Sequence, residues 1–418
     1  MLSLQFDQYY HVRKNQGFDQ QEATKNLLQV NLPELLEKAA FTKLVDQDLR
    51  EVEQAVQNIP FPYSEIVVVG LGGSSLGPKA IYEAVSHKTK QLPIYFLDNV
   101  DPDLVSEVAG KLSFTNTLFL IITKSGNTSE TIALFHYLSD RLKERKLDPK
   151  THCVLITDPE QGYLRSLIPQ GYPSLPIPPA VGGRFSVLTN VGLFLSLLLG
   201  LDAKKLLEGG SHVLNQAHTQ PPIENAAYKL SLFQYAEYSG GRNIHVLMNY
   251  GDKLTQLTHW ATQLYSESLG KINTHQRPVG FTPHPARGVS DQHSQLQLFQ
   301  EGPDDKSYLF LTAGPTSAPR IPRIDDSRFT YLENRPFQEL FHAEYEATVE
   351  SLTEAKRPCV RLKMDALDEF HLGAFFLTLE LGTVYLGHFL EVNPYDQPGV
   401  ETSKQLTRNK LTAAGQEI

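Results

Sequence analysis

The chain has 418 residues, of which 41% are apolar and 20% charged, and it carries a formal net charge of −9. That length predicts two or three domains and enough chain for a large core. The mild acidity argues against a nucleic-acid binder, although an acidic protein can still hold a local basic pocket for an anionic substrate.

Residues 1–47 read as short, polar, amphipathic helices without visible chemistry. Met1 to Asp7 lack a basic stretch followed by an apolar run, so a cytoplasmic address is the expectation. From Glu65 the pattern alternates. Ile66–Val69, Ile94–Leu97, Leu118–Ile122 and Val154–Ile156 are short apolar runs with strand character. Helical segments are predicted between them, one beginning near Pro78 and one from about Thr128 to Leu142. Apolar strands alternating with helices predict a parallel sheet covered on both faces. A proline-rich crossing with Pro169, Pro173, Pro176, Pro178 and Pro179 follows. Val191–Leu201 is the most apolar stretch, too short to cross a bilayer, and reads as a buried helix.

A second alternating block begins near Asn225. Ile244–Met248, Tyr308–Leu311 and Val360–Leu362 are its strand candidates. Lys253–Leu269 has helical spacing of Leu254, Leu257, Trp260, Ala261 and Leu264, and stops at Gly270. Phe370–Leu390 is a long apolar helix, and the tail from Asn393 is polar. Cys153 and Cys359 sit in apolar, β-rich runs and read as buried thiols. The fold class is therefore α/β, with two blocks that each carry a parallel sheet. The expected division is 1–47, 48–190, 191–392 and 393–418, the last holding a turn and a helix.

Six segments carry chemistry. Gly70-Leu71-Gly72-Gly73-Ser74-Ser75-Leu76-Gly77-Pro78 joins a strand to a helix. Such a loop and helix N-terminus favour an anion, although a tight βα turn uses the same residues. Its spacing gives neither a dinucleotide fingerprint nor a P-loop. Thr123-Lys124-Ser125-Gly126-Asn127-Thr128-Ser129-Glu130-Thr131 also joins a strand to a helix, with hydroxyls dense enough to hold a phosphate. A capping box of Asn127 with Glu130 is the plainer reading, and both can hold. Val181-Gly182-Gly183-Arg184-Phe185-Ser186 can fix an arginine in a cleft, where it would stabilise a developing oxyanion; a surface arginine in a turn is the alternative.

Gln263-Leu264-Tyr265-Ser266-Glu267-Ser268-Leu269-Gly270-Lys271 puts Glu267 on the buried stripe of its helix, near the negative end of the dipole. Burial and dipole together raise a carboxyl's pKa there, as suits a general base; a solvated edge residue is the alternative. In Asp291-Gln292-His293-Ser294, His293 opens a predicted helix beside polar residues. Gln397-Pro398-Gly399-Val400-Glu401-Thr402-Ser403-Lys404 is a turn into a helix, in which Lys404 alone reads as a solvated lysine.

Taken together, and in this order, these segments resemble the phosphoglucose isomerase family. The matches run from Gly70 to Lys404. The resemblance implies two sugar-isomerase (SIS) domains with doubly wound parallel sheets, a homodimer, and no metal or other cofactor. It implies interconversion of glucose 6-phosphate and fructose 6-phosphate through a cis-enediol. Glu267 would be the base and Arg184 the stabiliser of the intermediate. His293, reaching in from the neighbouring subunit, and Lys404 would open the sugar ring. Thr123, Ser125, Asn127 and Thr128 would hold the phosphate, Gly73 and Ser74 the sugar, and Gln263 and Gln397 would line the pocket. Thr123 and Asn127 stand where the family commonly has serine and threonine, and both keep hydrogen-bonding capacity. A sugar-phosphate sensor would be expected to lack the set Glu267, His293 and Arg184. An isomerase that also accepts mannose 6-phosphate stays open.

Overall fold

The computed structural model describes residues 1–6, 32–89, 92–314 and 318–414. Two five-stranded sheets organise the molecule. The first contains β2 (Glu65–Val69), β3 (Ile94–Leu97), β4 (Thr117–Thr123), β5 (Cys153–Thr157) and β6 (Ser174–Pro176), all parallel, in the order β3-β2-β4-β5-β6. The second contains β1 (Leu2–Gln5), β7 (Ile244–Tyr250), β10 (Thr282–Gly288), β11 (Lys306–Ala313) and β12 (Cys359–Met364), in the order β1-β12-β11-β7-β10. A small hairpin of β8 (Lys271–Ile272) and β9 (Pro278–Val279) stands apart.

The apolar runs make strands because both faces of each sheet are covered. Along β2, Ile66 and Val68 face the large central core, and Val67 and Val69 face an outer one. The same alternation recurs in β11. Leu309 and Leu311 join the central core, and Tyr308 and Phe310 join a third cluster. Helices cover both faces of the sheets, in the central layer and on the outer sides. The main ones are α1 (Gly73–Val85), α2 (Ser129–Glu144), α3 (Ala203–Thr219), α4 (Ala226–Ser239), α5 (Thr255–Leu269), α6 (Gln292–Glu301), α7 (Phe337–Glu354), α8 (Glu369–Phe389) and α9 (Glu401–Ala414). On α5 the predicted stripe is realised: Leu257, Trp260, Ala261 and Leu264 are buried, with Trp260 edge-on to Phe376 at 4.8 Å. Among the described residues α8 is the one helix long and apolar enough to cross a membrane, and 89% of that apolar window is buried in the protein.

Four expectations change. Of the helices expected over residues 1–47, those over 7–31 lie outside the described residues. Leu32–Lys38 is helical, but Leu2–Gln5 is a strand, antiparallel to β12. The second sheet is therefore mixed at one edge. The strand Thr282–Gly288 was not predicted, because Pro283 and Pro285 interrupt it; it lies at the opposite edge, where a missing N–H is tolerated. Finally, α1 begins at Gly73, ahead of the predicted start, so Pro78 sits inside the helix and not in its first turn.

In each sheet the first strand of the alternating block is internal. After β2 the chain moves outward to β3, and after β4 it moves the other way to β5. The C-terminal ends of β2 and β4 thus flank a topological switch point, the crevice where open α/β sheets bind ligands. Both loops singled out in the first block, after Val69 and at Thr123, lie there.

Candidate active site

The loop after β2 needs glycine at two places. Gly72 has φ +56°, and a Cβ there would meet Gln263 Nε2 at 2.7 Å. A Cβ on Gly73 would lie 2.1 Å from the carbonyl oxygen of Gly183. Bare backbone lets the start of α1, the Gly183-Arg184 turn and α5 converge. The early start of the helix at Gly73 places its N-terminus at this junction.

The loop after β4 does not form the expected capping box. Thr128 holds the N-cap position of α2 without a side-chain cap bond. Its hydroxyl lies instead 2.7 Å from that of Thr123. Asn127 Oδ1 accepts from the backbone N–H of Tyr163 at 2.9 Å, and Ser125 Oγ accepts from the N–H of Asn127 at 3.2 Å. The first turn of α2 therefore presents N–H groups that no side chain of the cap satisfies, at the positive end of its dipole. Ser125 and Asn127 are exposed, Thr128 is half-buried and Thr123 is buried.

Arg184 is the most constrained polar group at this junction. Its side chain is 1% exposed. Nε donates to Ser268 Oγ at 2.6 Å and Nη1 to Gln397 Oε1 at 2.7 Å. Nη2 donates to the carbonyls of Pro394 and of Asp396, the latter at 3.0 Å. Nη1 also lies 3.6 Å from Glu267 Oε2. Burial pulls the guanidinium pKa below its usual value, while the carboxylates of Glu267 and Asp396 act the other way. An arginine starts so high that it remains a cation.

Glu267 is half-buried near the end of α5. Gln263, one turn earlier, donates from Nε2 to Glu267 Oε1 at 2.9 Å. That bond fixes one carboxylate oxygen and leaves Oε2 facing Arg184. The side-chain oxygen Oε1 of Gln263 is buried and has no hydrogen-bond partner. A cleft of about 730 Å³ opens beside Glu267, lined among others by Lys271, Asn393 and Gln397.

A family model described as phosphoglucose isomerase matches residues 54–311. The glucose-6-phosphate isomerase of Rubrobacter xylanophilus is 37% identical over 84% of this chain and 83% of its own length. The chain belongs to the phosphoglucose isomerase family. A solved structure of a hypothetical protein from Thermus thermophilus superposes with a TM-score of 0.88 at 33% identity, covering 98% of this chain and all of that one (100%). A glucose-6-phosphate isomerase from Chlamydia trachomatis shares the fold, with a TM-score of 0.77 at 21% identity over 90% of this chain and 79% of that one.

The structure thus brings Gly73, Arg184, Gln263, Glu267 and Gln397 together, with Ser74 in the first turn of α1 and the Thr123–Thr128 loop across the switch point. It leaves two predicted residues apart. His293 lies in the first turn of α6, as its sequence predicted, but is exposed, and no hydrogen bond joins it to Glu267 or Arg184. Lys404 is exposed on α9 and pairs with Glu401 at 2.8 Å. Two further lysines escaped the sequence reading. Lys124 is half-buried in the loop after β4. Burial lowers its pKa, opposed by Asp158, and the Arg184 charge lowers it further. The other is Lys271. A lysine inside a hydroxyl-rich strand-to-helix loop was the available signal for Lys124.

Both cysteines are buried free thiols, as expected, and burial pushes the Cys359 pKa up to about 12.

Proposed function

We propose that this chain is a glucose-6-phosphate isomerase that interconverts glucose 6-phosphate and fructose 6-phosphate, with Glu267 as the base. In the open-chain sugar Glu267 takes the hydrogen from C2 and returns it to C1. The hydroxyl proton of O2 moves to O1 as the double bond shifts, so atoms and charge balance. The negative charge that builds on the C1–C2 oxygens falls beside Nη1 of Arg184. The observation that carries this reading is the single guanidinium, held by four acceptors and aimed at the fixed carboxylate 3.6 Å away. A preorganised donor of that kind contributes roughly 10²–10³ in rate, and a positioned base roughly 10²–10⁴.

The phosphate sits on the uncapped start of α2, between the hydroxyls of Thr123, Ser125 and Thr128 and the Asn127 amide. Ser74 and the Gly73 backbone hold the sugar, with Gln263 and Gln397 at its flanks. Remote binding of the phosphate keeps C1 and C2 in register for proton transfer. His293 and Lys404 open the sugar ring, and His293 enters from a second copy in a cytoplasmic homodimer. Its exposure, with no hydrogen bond joining it to Glu267 or Arg184, favours that origin.

The test is fructose 6-phosphate turnover by wild type and Glu267→Gln, both with EDTA present. Fast turnover by wild type and a loss of several orders of magnitude in a folded variant are expected. Activity that survives in the variant would remove Glu267 as the base. A wild type that binds sugar phosphate without turning it over would point to a sensor.

A further inference from the structure

Lys271 follows α5 directly, four residues after Glu267. Its side chain is only 8% exposed. The ammonium donates to Asp396 Oδ1 at 2.6 Å, to the Asp396 carbonyl at 2.7 Å, and to the Asn393 carbonyl. These use all three of its donors. The other Asp396 carboxylate oxygen accepts from Asn393 Nδ2 at 2.9 Å. The segment gripped in this way is the one that holds Arg184 through the carbonyls of Pro394 and Asp396 and through Gln397. The Asp396 carbonyl is shared: Lys271 donates to it from one side and Arg184 from the other. Pro394 and Tyr395 pack inward, Tyr395 against Phe185, but Asn393, Asp396 and Gln397 are all exposed, and the two cations supply most of the long-range polar anchoring of these three.

We propose that Lys271 is a positioning residue for the isomerisation, clamping the 393–397 turn so that Arg184 keeps its Nη1 turned toward Glu267 and the reacting oxygens. The clamp has two parts. It pins three carbonyl and amide acceptors in place around the guanidinium. It also occupies the Asp396 carboxylate, which already acts on Arg184 electrostatically. Without the ammonium, that carboxylate is free to pair with the guanidinium and neutralise the charge meant for the enediolate. Burial lowers the pKa of Lys271, Asp396 and Glu267 act the other way, and the nearby Arg184 charge lowers it further. This inference rests on the isomerase reading above.

The experiment measures turnover of Lys271→Met, Lys271→Arg and Asp396→Asn beside wild type and Glu267→Gln, together with two inhibitors. One is a five-carbon sugar-acid phosphate, whose carboxylate imitates the enediolate charge. The other is a six-carbon sugar-alcohol phosphate, which carries the same phosphate and no such charge. Loss of one charged hydrogen-bonding arrangement in the transition state predicts a fall in kcat of roughly 10- to 100-fold for Lys271→Met. KM and sugar-alcohol binding should change little, and sugar-acid binding should weaken in step with kcat. Lys271→Arg should recover much of the rate. Asp396→Asn should show a smaller loss of the same kind, which keeps the test alive if Lys271→Met does not fold. A folded Lys271→Met with wild-type kcat would overturn the proposal. So would equal weakening of both inhibitors with a raised KM, the pattern of a collapsed turn. An inactive wild type, or an active Glu267→Gln, would instead sink the isomerase reading itself.

Discussion

Replacing Arg184 with lysine keeps the charge and destroys the geometry. The native guanidinium reaches Ser268 with Nε, Gln397 with Nη1 and two carbonyls with Nη2, on three separate nitrogens. One ammonium cannot reach all of these sites. Ser268 is fully buried, so its hydroxyl would lose its donor without gaining water, at a cost to stability of about 1–3 kcal/mol. Gln397 is exposed and can turn to solvent, so its loss should cost little. The larger effect is kinetic. The cation would no longer stand fixed 3.6 Å from Glu267, and the loss of one preorganised oxyanion donor is roughly 10²–10³ in kcat, or about 3–4 kcal/mol. The assay is a continuous reading of glucose 6-phosphate formed from fructose 6-phosphate, with unfolding in denaturant measured on the same samples. KM should move less than kcat, because the phosphate is held elsewhere. A folded Arg184→Lys with kcat within about fivefold of wild type would refute the claim that fixed geometry, rather than bare charge, stabilises the intermediate.

Thr128→Val removes a hydroxyl that leans on Thr123 at the open start of α2. It should raise KM about tenfold with kcat nearly unchanged, as expected for one lost hydrogen bond to a charged group; an unchanged KM would move the phosphate away from this loop. Glu380, fully buried on α8, has its carboxyl pKa raised well above the ordinary glutamate value of 4.5, and burial is the cause. Its Oε1 has no partner. The folded protein therefore holds a proton that the unfolded chain releases above pH 4.5, and stability should fall as pH rises from there to the folded pKa, by up to about 1.4 kcal/mol per pH unit from this group. Glu380→Gln removes that dependence. Its denaturation midpoint should gain on wild type as pH rises above 4.5, and parallel curves for the two proteins would show that Glu380 does not titrate as argued.

Much of this was readable from the chain because the relevant forces are local. Ile66–Val69 and Leu118–Ile122 are buried on both faces, so their apolar runs are unbroken. The stripe Leu257, Trp260, Ala261 and Leu264 repeats at the helical period and carries Glu267 with it. The loops at Gly70 and Thr123 show unusual composition within a few residues. What stayed hidden depends on partners far along the chain. Asp396 lies 125 residues from Lys271, and no spacing rule joins them. Thr282–Gly288 contains prolines that argue against a strand until its edge position is known. Leu2–Gln5 is too short to show a period of two. The capping box at Asn127 failed for the same reason, because its amide had a better partner in Tyr163, 36 residues away.

The pairing of β1 with β12 also has a consequence for the order of synthesis. Leu2–Gln5 leave the ribosome before the strands of the first sheet, yet their partner, Cys359–Met364, follows only after that sheet has been made. The whole first sheet can form in that interval, since it lies between the two halves of the pair. Until β12 emerges, the opening strand has no ladder to join, and once it emerges, β12 is itself an open edge until β1 returns. The second sheet thus gains its β1 edge by pairing residues made before the first sheet with residues made after it.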